Sequence, residues 1–160
     1  MTKPFLLLST RPEDDAVVGE RAAILAKAGL AEAELVQHRV ERFPLPELDL
    51  ADFAGVFLGG GPFNSSDEEK SELQLRVEAD IARVVTGAVE RDIPLLGLCY
   101  GIGALTSTLG GVVDRTYGEP VGVVDVTLTD DGRADPLFDG IPTVARAFVG
   151  HKEACRELPP

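Results

Sequence analysis

The sequence is poor in cysteine, in histidine and in basic residues, and these low counts limit the classes of protein and of binding partner that fit it. Two cysteines, Cys99 and Cys155, are too few for a disulfide framework. The 15 lysines and arginines stand against 27 acidic residues, and the net charge of -12 disfavours nucleic acid and anionic membranes as partners. No hydrophobic run reaches the length of a membrane span, and the first residues do not resemble a signal peptide. We therefore expect a cytoplasmic protein that acts away from nucleic acid and membranes.

Length and composition indicate a single folded unit. The chain has 160 residues, 44% of them hydrophobic, which is enough to bury a real core. No internal repeat and no low-complexity tract interrupts it. We therefore expect one domain over residues 1–160.

The most informative stretch is an apolar run that ends in a cysteine between two glycines. Ile93 to Leu98 shows no alternation of polar and apolar residues, which predicts a short strand buried on both faces. Gly97 and Gly101 flank Cys99 in a Gly-x-Cys-x-Gly pattern, the cysteine form of the strained strand-to-helix turn called a nucleophile elbow. The positive end of the following helix would favour the reactive thiolate. A small buried core cysteine beside a plain turn is the alternative that these residues leave open.

A second glycine cluster follows a different strand. Gly55 to Leu58 predicts a strand that ends in Gly59-Gly60-Gly61-Pro62. Three successive glycines let backbone N–H groups approach a ligand closely, although a flexible turn explains them equally well. In mostly parallel sheets, ligands bind outside the carboxyl ends of the strands. Because both the glycine cluster and Cys99 are predicted at that edge, the sequence predicts a site between them.

The rest of the chain alternates between strand and helix patterns. Further strands are predicted at Phe5 to Ser9, Ala33 to Gln37 and Val144 to Val149, and helices at Val17 to Ala28, Glu68 to Ala88 and Ile102 to Leu109. Val112 to Leu128 alternates and is rich in valine, which predicts an antiparallel hairpin or paired edge strands. The predicted fold class is α/β, with a mostly parallel sheet, helices on both faces and a small β-rich insertion.

Together the two glycine motifs resemble those of the class I glutamine amidotransferases, the triad glutaminase domains. The matching segments are Phe57-Leu58-Gly59-Gly60-Gly61-Pro62, Pro94-Leu95-Leu96-Gly97-Leu98-Cys99-Tyr100-Gly101, Leu109-Gly110-Gly111-Val112-Val113 and Gly150 to Pro159. The likeness covers most of the chain, from Phe5 to Pro160, and is greatest to the glutaminase part of GMP synthase. It implies a flavodoxin-like three-layer sandwich, the class I glutaminase fold, shortened at its C-terminus.

The resemblance also implies a role for each residue of the site. Cys99 would attack the side-chain amide carbon of glutamine, release ammonia and leave a glutamyl thioester for water to hydrolyse. The backbone N–H groups of Gly61 and Tyr100 would form the oxyanion hole, where each rigid donor lowers a barrier by roughly 3–4 kcal/mol. The implied substrate-binding residues are Gly60, Gly101 and His151. No cofactor and no metal ion is expected.

Two departures from the family pattern concern substrate recognition and the catalytic base. The family usually has glutamine at the position of Gly103, so another γ-glutamyl or small amide ligand stays open. The His-Pro-Glu-like segment that completes the triad is not evident before Pro160. Of the two histidines, His38 is interpreted as a surface residue, and His151-Lys152-Glu153 has His-x-Glu spacing but corresponds to an earlier turn that shapes the substrate pocket. We therefore expect the nucleophile to be present and hydrolysis by this chain to be severely impaired.

Three functions are consistent with these residues. The first is a glutamine amidotransferase domain that supplies ammonia to a synthetase partner, since the sequence has no P-loop motif for an ATP-dependent step. The second is a non-catalytic ligand-binding or regulatory module on the same fold, and the third is a cysteine-elbow hydrolase of another amide or a redox sensor. An exposed edge at Val144 to Val149 would template pairing with another chain, so a homodimer is also expected.

Overall fold

Eight strands and four helices make up the part of the chain that the structure, a computed structural model, describes (residues 3–160). The strands are β1 (Phe5–Ser9), β2 (Leu35–Arg39), β3 (Gly55–Leu58), β4 (Leu95–Gly97), β5 (Val112–Asp114), β6 (Glu119–Thr127), β7 (Val144–His151) and β8 (Ala154–Glu157). The helices are α1 (Asp14–Ala28), α2 (Glu72–Glu90), α3 (Tyr100–Thr108) and α4 (Asp130–Ala134). Within residues 3–160 no helix is long and apolar enough to cross a bilayer.

The central sheet has four parallel strands in the order β2-β1-β3-β4. Leu58, the last residue of β3, pairs with Gly97, the last residue of β4. The segments that follow these two strands therefore leave the sheet side by side at one edge. This topology brings the glycine cluster and Cys99 together, as the sequence predicted.

Helices cover both faces of this sheet, which confirms the predicted three layers. Because side chains alternate along a strand, Leu6 and Leu8 of β1 lie on one face and Leu7 lies on the other. Leu6 and Leu8 belong to the core that includes Ile81 of α2, and Leu7 belongs to the one that includes Ile24 of α1. Helix α3, which begins directly after Cys99, adds Tyr100 and Ala104 to the α2 side.

The burial predicted for the strand before Cys99 is wrong on one face. Strand β4 lies at the edge of the sheet, and the side chain of Leu96 is 52% exposed. Leu96 pairs with Phe57, so its side chain lies on the face that α1 covers. The core on that face is built on β1, β2 and Phe57 of β3, and it does not enclose the middle of β4. An apolar run without alternation therefore does not by itself distinguish an edge strand from a central one.

The predicted pairing of the β-rich insertion is also wrong. Strands β5 and β6 do not form a hairpin with each other. Instead β5 pairs with β8, and β6 pairs with β7, both antiparallel. Strand β8 was not predicted, and β7 continues two residues beyond the predicted Val149, as far as His151. The longer β7 brings His151 opposite Glu119 of β6.

Candidate active site

Cys99 occupies a strained backbone conformation between β4 and α3. Its φ is 54° and its ψ is -112°, a region that side-chained residues adopt only when the surroundings impose it. The side chain is exposed and is not part of either core, so the alternative of a buried core cysteine does not hold. This geometry is that of a nucleophile elbow, as the sequence predicted.

The glycines on either side make this turn sterically possible. A Cβ atom on Gly97 would lie 2.7 Å from the carbonyl oxygen of Gly101, and one on Gly101 would lie 2.5 Å from that of Leu58. Either contact is shorter than real Cβ atoms show, so a side chain at position 97 would force α3 away from β4, and one at position 101 would force the elbow away from β3. Gly101 thus packs against Leu58 of β3, beneath the elbow.

The glycine cluster after β3 faces the elbow. A Cβ atom at Gly60 would lie 3.2 Å from the Cβ atom of Cys99, so the two segments nearly touch. Gly61, Cys99 and Tyr100 line one cavity of about 490 Å³, whose far wall comes from the end of β7 and from β8. The structure therefore places the predicted nucleophile and both predicted oxyanion donors around a single cavity.

The backbone hydrogen bonds distinguish the donors at this cavity. The Gly60 N–H donates to Oε1 of Glu20 at 2.8 Å, so it is already engaged. Among residues 3–160, no hydrogen bond is donated by the Gly61 N–H or by the N–H of Tyr100, the first residue of α3. Within the described residues, the N–H groups of Gly61 and Tyr100 therefore have no acceptor, whereas the Gly60 N–H is held by Glu20.

The phenol of Tyr100 points into the protein. Its side chain is buried and meets the ring of Phe63 edge-on, with the ring centroids 5.7 Å apart. Burial raises the pKa of the Tyr100 hydroxyl well above its usual value, and the nearby carboxylates of Glu78 and Glu153 raise it further. The phenol therefore stays protonated at neutral pH and cannot accept a proton from Cys99.

Neither histidine is arranged as a base for Cys99. At His151, which lines the cavity, Nε2 lies 2.9 Å from a carboxylate oxygen of Glu119 and Nδ1 lies 3.0 Å from the carbonyl oxygen of Glu153. Both ring nitrogens thus face protein oxygens. His38 lies on β2, three strand positions away from β4, or roughly 14 Å at the usual strand spacing. Its ring contacts the carbonyl oxygen of Phe43.

Glu153, which the sequence marked only by its His-x-Glu spacing, makes contacts at this site that the sequence did not predict. Its two carboxylate oxygens accept the backbone N–H groups of Ser65 and Ser66 at 2.7 and 2.8 Å, which ties the loop after the glycine cluster to the turn before β8. A Cβ atom on Gly103 would lie 2.8 Å from the nearer of these oxygens. Glu153 thus fills the space into which a side chain at position 103 would project. The absence of a side chain at Gly103 leaves room for the Glu153 carboxylate.

We expect Glu153→Ala to lower the free energy of unfolding by about 2 kcal/mol, because two partly buried N–H groups lose a charged acceptor. Glu157→Ala is the control, since Glu157 lies four residues further along, at the end of β8, and pairs with Arg156 at the surface. Such a pair contributes about 0–1 kcal/mol. Urea denaturation of both variants measures the difference, and equal losses would show that the Glu153 contacts contribute nothing particular.

The strain at Cys99 predicts an unusual order of stabilities. Glycine normally lowers the free energy of unfolding by roughly 0.5–1 kcal/mol relative to alanine. A non-glycine residue in a strained backbone region lowers it by roughly 1–3 kcal/mol. Cys99→Gly should therefore be more stable than Cys99→Ala by about 1 kcal/mol. Thermal denaturation of the two variants tests this order, and a more stable alanine variant would mean that the elbow carries no strain.

Comparison with known proteins agrees with this geometry. The model of the family described as glutamine amidotransferase class-I matches residues 22–160. The GMP synthase [glutamine-hydrolyzing] of Streptomyces avermitilis is 24% identical over 159 residues, and that of Pediococcus pentosaceus is 27% identical over 127. A solved glutamine amidotransferase from Thermotoga maritima has a TM-score of 0.74 at 24% identity.

The matches differ in how much of each protein they cover. They span 92% of this chain against S. avermitilis and 79% against P. pentosaceus, but only 28% and 22% of those synthases. The likeness to the T. maritima structure covers 99% of this chain and 64% of that one. The similarity therefore concerns one domain of the two synthases.

Proposed function

The chain belongs to the class I glutamine amidotransferase family, and from that premise we propose that it cleaves the side-chain amide of glutamine through Cys99. The observation that carries the proposal is the placement of an exposed, strained cysteine beside two backbone N–H groups that have no hydrogen-bond acceptor among residues 3–160. A planar amide bound in this cavity can meet the sulfur and both donors at once. The proposal assigns Cys99 as nucleophile and Gly61 and Tyr100 as oxyanion donors.

The chemistry proceeds through a covalent intermediate. The Cys99 thiolate attacks the amide carbon, and the amide oxygen becomes an oxyanion held by the two N–H groups. When this tetrahedral species collapses, the C–N bond breaks, the nitrogen takes up a proton and ammonia leaves. Water then attacks the thioester, releases glutamate and returns the thiol. His151, fixed by Glu119 and the backbone of Glu153, shapes the wall of the cavity in this scheme.

We expect the 160-residue chain to carry out these steps slowly. Cleavage needs a group that takes the thiol proton and delivers it to the leaving nitrogen, and both histidines of the sequence are engaged by other oxygens. In triad enzymes of other families, removal of one member leaves only a small residual activity. Acylation of Cys99 should therefore be measurable, while ammonia release stays far below ordinary enzymatic rates.

The ammonia would serve a synthetase partner. The relatives of S. avermitilis and P. pentosaceus are named as synthases that hydrolyse glutamine, and this chain spans about a quarter of their length. Residues 1–160 contain no P-loop motif, so a phosphate-binding site of that type would have to lie outside them. We propose that the partner activates the ammonia acceptor.

The proposal is tested by mixing the 160-residue protein with L-glutamine and, separately, with L-asparagine. Intact-protein mass spectrometry after an acid quench should detect a glutamyl adduct on Cys99 with glutamine alone, and a coupled assay should detect slow ammonia release. Equal acylation by asparagine would indicate a hydrolase of other amides. Binding of glutamine in calorimetry without any adduct would indicate a non-catalytic module. Turnover at ordinary enzymatic rates would refute the expected impairment.

A further inference from the structure

The carbonyl group in the middle of the glycine cluster is held by a side chain from the segment that follows β1. Thr10, directly after β1, is fully buried, and its hydroxyl donates to the carbonyl oxygen of Gly60 at 2.9 Å. The same hydroxyl lies where a Cβ atom of Gly61 would be, so residue 61 must be glycine for Thr10 to reach this position. Thr10 and the glycine cluster thus fit one another closely.

This hydrogen bond fixes the direction of a neighbouring N–H. The carbonyl of Gly60 and the N–H of Gly61 belong to one peptide group, and residues 3–160 contain no cis peptide bond. In a planar trans peptide the two groups point in opposite directions. The hydroxyl that holds the carbonyl therefore turns the Gly61 N–H away from buried Thr10. The N–H lies on the side of the peptide away from Thr10, and Gly61 lines the same cavity as Cys99.

A second side chain holds the preceding peptide group. Glu20 of α1 accepts the Gly60 N–H, and its carboxylate is only 10% exposed and paired with Arg11 at 3.1 Å. The N–H and the carbonyl of Gly60 are therefore fixed by two different elements, α1 and the segment after β1. A glycine turn held at both polar groups cannot exchange freely between peptide orientations, although glycine itself would allow it.

We propose that Thr10, supported by Glu20, is a positioning residue that keeps the Gly60–Gly61 peptide in the orientation where the Gly61 N–H serves as an oxyanion donor. The inference rests on the proposed function. It assigns no contact between Thr10 and the substrate, and Thr10 acts only through the peptide it holds. Without the hydroxyl, that peptide can turn and present its carbonyl oxygen to the cavity, where it would repel an oxyanion.

The test compares two reactions of Cys99 that differ in their need for an oxyanion hole. L-glutamate γ-methyl ester acylates the sulfur: a C–S bond forms, a C–O bond breaks, and the thiol proton leaves with methanol. Iodoacetamide alkylates the same sulfur by displacing iodide, with no oxyanion. Both adducts are followed by intact-protein mass spectrometry in a Cys155→Ala background. Thr10→Val removes only the hydroxyl at nearly constant volume, and Thr10→Ser is the matched variant that keeps it.

We expect Thr10→Val to slow acylation by roughly 10-fold to 100-fold, to leave alkylation unchanged, and Thr10→Ser to restore acylation. Wild-type acylation in Thr10→Val overturns the inference. So does a parallel loss of acylation, alkylation and melting temperature, which would mark a purely structural role. If Thr10→Val does not fold, Glu20→Leu against Glu20→Gln gives the same comparison at the other hydrogen bond. A wild-type protein that is alkylated but never acylated would instead contradict the proposed function.

Discussion

Replacing Cys99 with alanine is expected to abolish glutamyl thioester formation, a loss of roughly three orders of magnitude or more, as for nucleophiles of triad enzymes. The reason is that Cys99 alone combines exposure, the elbow conformation and contact with the glycine cluster. Removing the sulfur leaves the two N–H groups of Gly61 and Tyr100 in place but gives them no oxyanion to hold. Intact-protein mass spectrometry after mixing with glutamine measures the loss.

The second cysteine provides a matched control within the same cavity. Cys155 also lines the cavity, is half-buried, and its thiol donates to the carbonyl oxygen of Glu157 at 3.3 Å. It lies within strand β8, opposite Val113 of β5, rather than at a turn from a strand into a helix. Cys155→Ala should therefore keep wild-type acylation. If instead Cys155→Ala lost the adduct and Cys99→Ala retained it, the assignment of the nucleophile would be wrong.

The parts of the site that the sequence predicted are those that local backbone chemistry specifies. Glycines at 97 and 101 around Cys99 specify the elbow because only residues without a side chain fit between β3 and α3. The run from Gly59 to Gly61 specifies a corner that can approach the sulfur. Both signals lie within a few residues of the atoms that they position, so a single sequence is sufficient to find them.

The parts that the sequence did not predict depend on contacts between distant segments. Glu153 meets Ser65 and Ser66 across 88 and 87 positions, and Thr10 meets Gly60 across 50. The local pattern around Glu153 does not indicate from which N–H groups its carboxylate will accept hydrogen bonds. The pairing of β5 with β8 was missed for the same reason, since alternation identifies a strand but not its neighbour.

Gly101 shows how tightly the elbow is packed, and Gly101→Ala is expected to lower the free energy of unfolding by about 2–3 kcal/mol. Gly101 lies in the first turn of α3, and alanine is a better helix former than glycine by about 1 kcal/mol. Helix propensity alone would therefore predict that Gly101→Ala raises the free energy of unfolding. The clash outweighs it, because a Cβ atom would lie 2.5 Å from the carbonyl oxygen of Leu58 and 2.8 Å from its Cβ atom.

The matched control for this change is Gly19→Ala in the interior of α1. Gly19 is exposed, and a Cβ atom there would meet nothing within 4 Å, so helix propensity acts alone and should stabilise the protein by about 0.5–1 kcal/mol. Opposite shifts in urea denaturation are the expected result. If the elbow relieves the clash by moving away from β3, Gly101→Ala should lose less stability but also lose acylation of Cys99, because the sulfur leaves the glycine cluster. An alanine variant at position 101 with both full stability and full acylation would show that contact with Leu58 does not hold the nucleophile in place.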